Sequence, residues 1–139
     1  MKTISLAFLL AFVAATSGCT AMFKGKQAGE QGVAEFHKLY NDGKFKEIFD
    51  ASHAALKTAT PETKFLEFLS AVQRKLGKVT QTANAGFNVN TFNLTTRVVL
   101  NQNTTFEQGN ATEVFTFEMN GEKAVLVGYN INSTELILK

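Results

Sequence analysis

Cysteine, proline and tryptophan are rare or missing in this sequence of 139 residues, which has one cysteine, one proline and no tryptophan. A single thiol excludes an internal disulfide and a zinc site built on paired cysteines. The net charge of +2 at pH 7 provides no basic patch for nucleic acid, so we expect no nucleic-acid partner. There are two histidines and no His-x-x-x-His pair, so we also predict no metal site.

A hydrophobic run long enough to span a bilayer is also missing. The apolar stretch behind Met1-Lys2, residues 4–13, is about half of the roughly 20 residues that a membrane-spanning helix needs. Its length is typical of a signal-peptide core, and small residues follow it. We therefore predict that residues 1–18 are an export signal, and we exclude them from the fold.

The letters TSGC at residues 16–19 resemble a bacterial lipobox. The resemblance implies cleavage between Gly18 and Cys19 and attachment of diacylglycerol to the Cys19 thiol, so that membrane lipid becomes a partner. Thr20 follows the cysteine instead of Asp, which implies an envelope protein on the outer membrane, facing the periplasm. The alternative is ordinary secretion, with cleavage near Ala14-Ala15 and a free thiol at Cys19.

The remaining chain divides into two regions. Residues 19–31 are small, polar and glycine-containing, which predicts a flexible tether behind the lipidated Cys19. Residues 32–139 form the predicted domain, and its first half has apolar residues at helical spacing. We expect one helix around 33–40, a second apolar set over 45–56 and a third helix with Thr60 as N-cap, Pro61 at its first position and Gly77 closing it.

After Gly77 the apolar residues alternate with Thr and Asn, which predicts four strands in an antiparallel meander. Asn120-Gly121 is the strongest hairpin signal. In the last strand we assign four residues to the apolar face, and Gly128 indicates a bulge or a close backbone approach. The four are Val125, Val127, Tyr129 and Ile131. Helices followed by such a sheet make an α+β fold, with the helices packed on the apolar face.

The segments FHKLYNDGKFKEIFD, FLEFLSAVQRKLGKV and VFTFEMNGEKAVLVGYNINS resemble small bacterial lipoproteins assigned to domains of unknown function. Those proteins are similar to the cystatin-like, nuclear-transport-factor-like α+β fold. The resemblance covers most of residues 30–135 and implies a fold, whereas chemistry has to be argued from sites.

Some proteins with this fold hold a carboxylate, Tyr or His between the helix and the sheet. The candidates in this sequence are Tyr40, Asp42, Asp50, Arg97, Glu113 and Tyr129. We expect the Tyr129 ring in the core with its hydroxyl at an edge, and His37 and His53 at the surface or rim. The sequence has no nucleophile elbow and no phosphate-binding loop, so we predict no catalytic residues and no cofactor.

The sequence thus predicts a membrane-tethered envelope lipoprotein with a non-catalytic binding or structural role and an unidentified protein or small-molecule partner. One alternative is a carrier or sensor of small molecules that uses the helix–sheet cavity, and another is a small isomerase or hydrolase. The polar sheet face provides either a contact surface or a merely solvated face. Its residues are Thr95, Arg97, Thr105, Glu107, Thr112 and Thr116.

Overall fold

Helices come first and strands second in the computed structural model, which describes residues 17–138. The helices are α1 (Ser17–Asn41), α2 (Phe45–Ala51), α3 (Ala54–Ala59), α4 (Glu62–Leu76) and α5 (Thr134–Leu138). The strands are β1 (Val79–Phe92), β2 (Thr95–Phe106), β3 (Gly109–Asn120) and β4 (Lys123–Asn132). The predicted signal peptide lies outside the described residues, except for residues 17–18. No helix in the described range has the length and apolar character to span a membrane.

The four strands pair antiparallel in the order β1-β2-β3-β4, which confirms the predicted meander and the α+β class. Gly121 begins the β3–β4 turn with φ 63°, so the predicted hairpin is present. The β1–β2 turn consists of Asn93 and Leu94, with φ of 47° and 65°. Both of these turns lie at the same end of the sheet.

Helix α1 begins much earlier than expected, and the prediction of a tether over residues 19–31 is wrong. Gly25, Gly29 and Gly32 lie on the helix face that packs on the sheet, at spacings of four and three. A Cβ atom on Gly29 would lie 2.8 Å from Leu100 Cδ1, and one on Gly32 would lie 2.7 Å from Phe117 Cε1. The glycines therefore allow the helix to approach the sheet closely, although their composition suggested flexibility.

The second apolar set forms two helices, α2 and α3, separated at Ser52 and His53. The Ser52 hydroxyl donates to the Ile48 carbonyl at 2.7 Å, and the His53 N–H donates to the Leu126 carbonyl on β4 at 2.8 Å. His53 Nδ1 accepts the Ala55 N–H at 3.1 Å and thereby caps α3. The break in the helix is therefore a point of attachment to the sheet.

The predicted start of α4 is wrong by one residue, whereas its end is confirmed. Pro61, not Thr60, occupies the N-cap position, and no side chain caps the helix there. Because proline fixes its own φ near the helical value, it defines the start of the helix without a hydroxyl. Gly77 ends α4 with φ 77°, and its N–H donates to the Gln73 carbonyl at 2.8 Å.

A bulge in β4 changes which residues face the core. Thr116 pairs with Gly128 and Phe117 with Leu126, so Val127 is an extra residue opposite them. Ala124 and Leu126 are buried, instead of Val125 and Val127 as predicted. Beyond the bulge the alternation is reset, so Tyr129 and Ile131 pack against the core as expected. The bulge confirms the prediction based on Gly128.

An aromatic core fills the space between α1 and the sheet. The Phe36 ring lies 5.1 Å from the Phe115 ring and 4.6 Å from the Tyr129 ring, measured between centroids. Tyr40 extends the cluster toward Phe106, at 6.0 Å. Helix α1 contacts all four strands. In this aromatic core its inward side chains meet residues from β2, β3 and β4.

Candidate functional site: a buried carboxylate between helix and sheet

Glu113 is a carboxylate in the interior of the domain. Strand alternation directs it inward between Ala111 and Phe115, and only 1% of its surface is exposed. Its Oε1 accepts a hydrogen bond from the Tyr129 hydroxyl at 2.6 Å. Its Oε2 accepts one from the Thr104 hydroxyl at 2.5 Å and lies 2.7 Å from His37 Nε2. Three partners compensate the desolvation of this carboxylate.

The antiparallel register and α1 bring these four side chains together. Thr104 pairs with Ala111 on β3, and Tyr129 pairs with Phe115, so both are diagonal neighbours of Glu113 on the inner face of the sheet. His37 comes from α1, 76 residues away in sequence, and closes the site from above. The site thus depends on the tertiary packing of α1 as well as on the sheet.

The hydrogen-bond chain continues from the carboxylate to the exposed strand β1. Thr104 uses its single hydroxyl hydrogen toward Glu113, so it accepts from the Thr82 hydroxyl at 2.9 Å. Thr82 also lies 3.3 Å from Gln102 Oε1, which is the longer of its two contacts. The network therefore spans the inner face from Tyr129 on β4 to Thr82 on β1.

Both tyrosines of the chain have a raised pKa. Burial is the largest cause at Tyr129 and raises its pKa well above 10, and the negative charge of Glu113 and the hydrogen bond to it act in the same direction. Burial also raises the pKa of Tyr40, and the charges of Glu113 and Glu107 add to it. The Tyr40 hydroxyl donates to the Gly77 carbonyl at 3.0 Å. Both hydroxyls thus stay protonated and act as donors.

The network is closed. His37 is 6% exposed, and every buried side-chain nitrogen and oxygen among the described residues has a hydrogen-bond partner. The adjacent apolar cleft has a volume of about 50 Å³. It is lined by Gly32, Phe36, Leu39, Ile48, Phe117 and Leu126, among others. A general acid or base has to reach a proton of its substrate, and Glu113 in this arrangement reaches only its three protein partners.

The sequence candidates separate into three groups. Glu113 and Tyr129 belong to the network, and the Tyr129 hydroxyl points inward to Glu113 instead of lying at an edge as expected. Tyr40 is buried and donates to the Gly77 carbonyl instead. The remaining three form surface ion pairs: Asp42 with Lys38 at 3.4 Å, Asp50 with Lys46 at 3.0 Å and Arg97 with Glu118 at 3.7 Å. These three side chains do not face Glu113.

The prediction that His37 lies at the surface is wrong, whereas His53 lies at the rim as predicted. Lys38 beside His37 suggested an exposed position. The spacing contained the opposite signal, because His37 lies four residues after Val33 and three before Tyr40, which are both buried. A polar residue between buried helix positions predicts a buried hydrogen-bond partner, which here is Glu113.

Two further features are available for binding. An open polar groove of about 430 Å³ lies at the end of the sheet near α5, lined by residues of β2 and β3 and by residues 132–134. Cys19 is exposed near the start of α1. Within residues 17–138 there is no group of three or more His, Cys, Asp or Glu side chains placed to hold a metal ion.

Comparison of the whole sequence with models of protein families and with curated proteins finds no match.

Proposed function

We propose that this protein is a lipid-anchored envelope lipoprotein whose domain has a non-catalytic binding or structural role. The single observation that supports it is the position of Cys19, the only cysteine of the chain. It follows an apolar run of signal-peptide length, and its side chain is exposed near the start of α1. Acyl transfer needs an accessible thiol, and two or three acyl chains make a stable anchor. We place the protein on the outer membrane, facing the periplasm.

The proposed fold family is cystatin-like. A long helix packed across a four-stranded antiparallel meander supports that assignment. The closed environment of Glu113 supports a structural role for the one buried carboxylate–histidine pair in the described residues, since both side chains are occupied by internal hydrogen bonds.

Mass spectrometry of the protein isolated from its host envelope tests the lipid attachment. We expect a first residue of Cys19 and a mass increased by diacylglycerol. Globomycin, which blocks cleavage of lipoprotein signals, should cause the precursor to accumulate. The Cys19→Ser variant should lose membrane retention. A mature protein that begins near residue 15 with a free thiol would contradict the proposal.

A second function, binding of a small polar molecule, is favoured by the groove at the end of the sheet. Thr104 is among the residues that line this groove, and its buried hydroxyl donates to Glu113, so the groove borders the closed network without opening it. The apolar cleft between helix and sheet is much smaller, at about 50 Å³, so the groove has more room for a ligand. Native mass spectrometry of the purified protein tests this function, since a bound ligand adds a discrete mass that denaturation removes.

A further inference from the structure

We propose that the end of the domain formed by the start of α1 and the β1–β2 turn is a bilayer-contact surface. This apolar corner consists of Met22, Phe23, Phe92 and Leu94. The inference deepens the proposed function and rests on it, because it names the lipid interface as the surface on which the anchored domain lies.

The start of α1 and the β1–β2 turn lie at the same end of the molecule. Lys24 Nζ lies 4.0 Å from Glu122 in the β3–β4 turn, which is at the same end of the sheet as the β1–β2 turn. At the next residue, a Cβ on Gly25 would lie 3.2 Å from Val89 on β1. Cys19 then lies about 9 Å further along the helix axis, given a rise of 1.5 Å per residue.

The corner exposes large apolar side chains. Leu94 is fully exposed, Phe92 is 76% exposed and Phe23 is 68% exposed, and Met22 is exposed as well. Single exposed apolar residues are common, but here four of them share the end of the molecule that carries the anchor. Phe and Leu side chains of this kind insert at the boundary between headgroups and acyl chains.

The backbone of the β1–β2 turn provides an independent argument. A two-residue turn with positive φ at both positions favours Asn followed by Gly. Asn93 fits its position, but the second position holds Leu94 with φ 65°, where a branched side chain is strained. The sequence therefore places a leucine at a position where folding favours glycine and where the side chain packs against nothing. Backbone strain of this kind is a sign of a functional requirement.

The lipid bilayer is the occupant that the chain itself indicates. Residues 14–16 alone separate the uncharged apolar residues 4–13 from α1, and Cys19 belongs to the helix, so no long linker separates the anchor from the domain. A domain attached so closely has to place the corner near the membrane plane. Insertion of the apolar corner into the membrane removes its side chains from water and adds to the binding free energy of the acyl anchor. Stable membrane attachment usually needs more than one signal.

The test uses the absence of tryptophan from the chain. The full-length gene with Leu94→Trp is expressed, and the protein is purified from envelopes in detergent and reconstituted into vesicles of phosphatidylethanolamine and phosphatidylglycerol. We expect a blue shift of the tryptophan emission and quenching by brominated lipids. The matched control is Ile137→Trp on α5, which is 79% exposed and belongs to the helix whose Glu135 lies beside Gly109, at the opposite end of the sheet.

The proposal would be overturned if the tryptophan at position 94 kept the emission of a water-exposed residue in the presence of vesicles. Equal quenching at positions 94 and 137 would overturn it as well. Phe92→Trp is a second reporter if the Leu94 variant fails to fold. Mass spectrometry of the same preparation reports the lipid on Cys19 separately. Failure of the anchor and failure of the corner are therefore distinguishable, because the mass reports the lipid on Cys19 whatever the tryptophan emission shows.

Discussion

At the residue scale, the hydrogen bond from Tyr129 to Glu113 is the contact whose loss should be most costly. Tyr129→Phe leaves Glu113 Oε1 buried without a donor, so we expect the free energy of unfolding to fall by about 1.5–3 kcal/mol. Tyr40→Phe is the matched control, because its hydroxyl donates to the neutral Gly77 carbonyl and should contribute about 0.5–1.5 kcal/mol. Urea unfolding of both variants measures the difference. Equal losses would contradict a charged carboxylate at Glu113.

Leu94 allows a second prediction at the same scale. Its left-handed conformation costs roughly 1–2 kcal/mol for a residue with a Cβ, while glycine loses about 0.5–1 kcal/mol more entropy on folding. Leu94→Gly should therefore raise the melting temperature of the protein in solution or leave it unchanged, while it weakens the contact with vesicles. Loss of stability in this variant would show that Leu94 supports the fold, and the argument from strain would fail.

At the element scale, the glycine face of α1 distinguishes a packed helix from a tether. Gly→Ala in an open helix is worth about 0.5–1 kcal/mol of stability. At Gly29 and Gly32 the added methyl would meet Leu100 and the Phe117 ring, both of which are buried, so we expect a loss of about 1–3 kcal/mol. The methyl group added by Gly25→Ala would meet valine methyl groups at 3.2 Å or more. Its effect on stability should lie between the gain in an open helix and the loss at Gly29 and Gly32.

Gln27→Ala on the exposed side of α1 is the control for this series, and thermal unfolding is the measurement. If residues 19–31 behaved as a tether, the three alanine variants within that range, at Gly25, Gln27 and Gly29, would be neutral or slightly stabilising. The interval from Gly25 to Gly29 and Gly32 was visible in the sequence. This spacing does not by itself distinguish flexibility from close packing, because the partners of these glycines lie on β1, β2 and β3, which follow much later in the chain.

At the scale of the whole molecule, the local patterns were sufficient for the fold class and insufficient for the site. Alternation in Phe115 and Phe117 and the turn at Gly121 predicted the meander, since each depends on neighbours in sequence. The bulge at Val127 reversed the assignment of half a strand, because the sequence suggested a bulge without giving its register. His37 and Glu113 are 76 residues apart, and nothing in either local pattern indicates that they meet.

The alkaline limb of the stability curve is a global property that the two tyrosines should dominate. Unfolded tyrosines ionise near pH 10, whereas the folded state raises the pKa of both Tyr40 and Tyr129. Above pH 10 the unfolded chain therefore binds fewer protons than the folded protein. The free energy of unfolding falls as the pH rises, by up to about 1.4 kcal/mol per pH unit for each tyrosine. Below pH 10 both states are protonated, and these groups contribute no pH dependence.

We expect tyrosinate absorbance to appear together with unfolding, because the folded protein keeps both hydroxyls protonated. The Tyr40→Phe/Tyr129→Phe double variant, which has no tyrosine left, should start less stable at neutral pH and then lose stability less steeply above pH 10. The decisive quantity is the slope of the free energy of unfolding against pH above pH 10. The loss of two hydrogen bonds lowers the free energy of unfolding at every pH but leaves this slope unchanged. A double variant as steep as the wild type would mean that other groups control the alkaline transition and that folding does not raise the pKa of the tyrosines as their burial indicates.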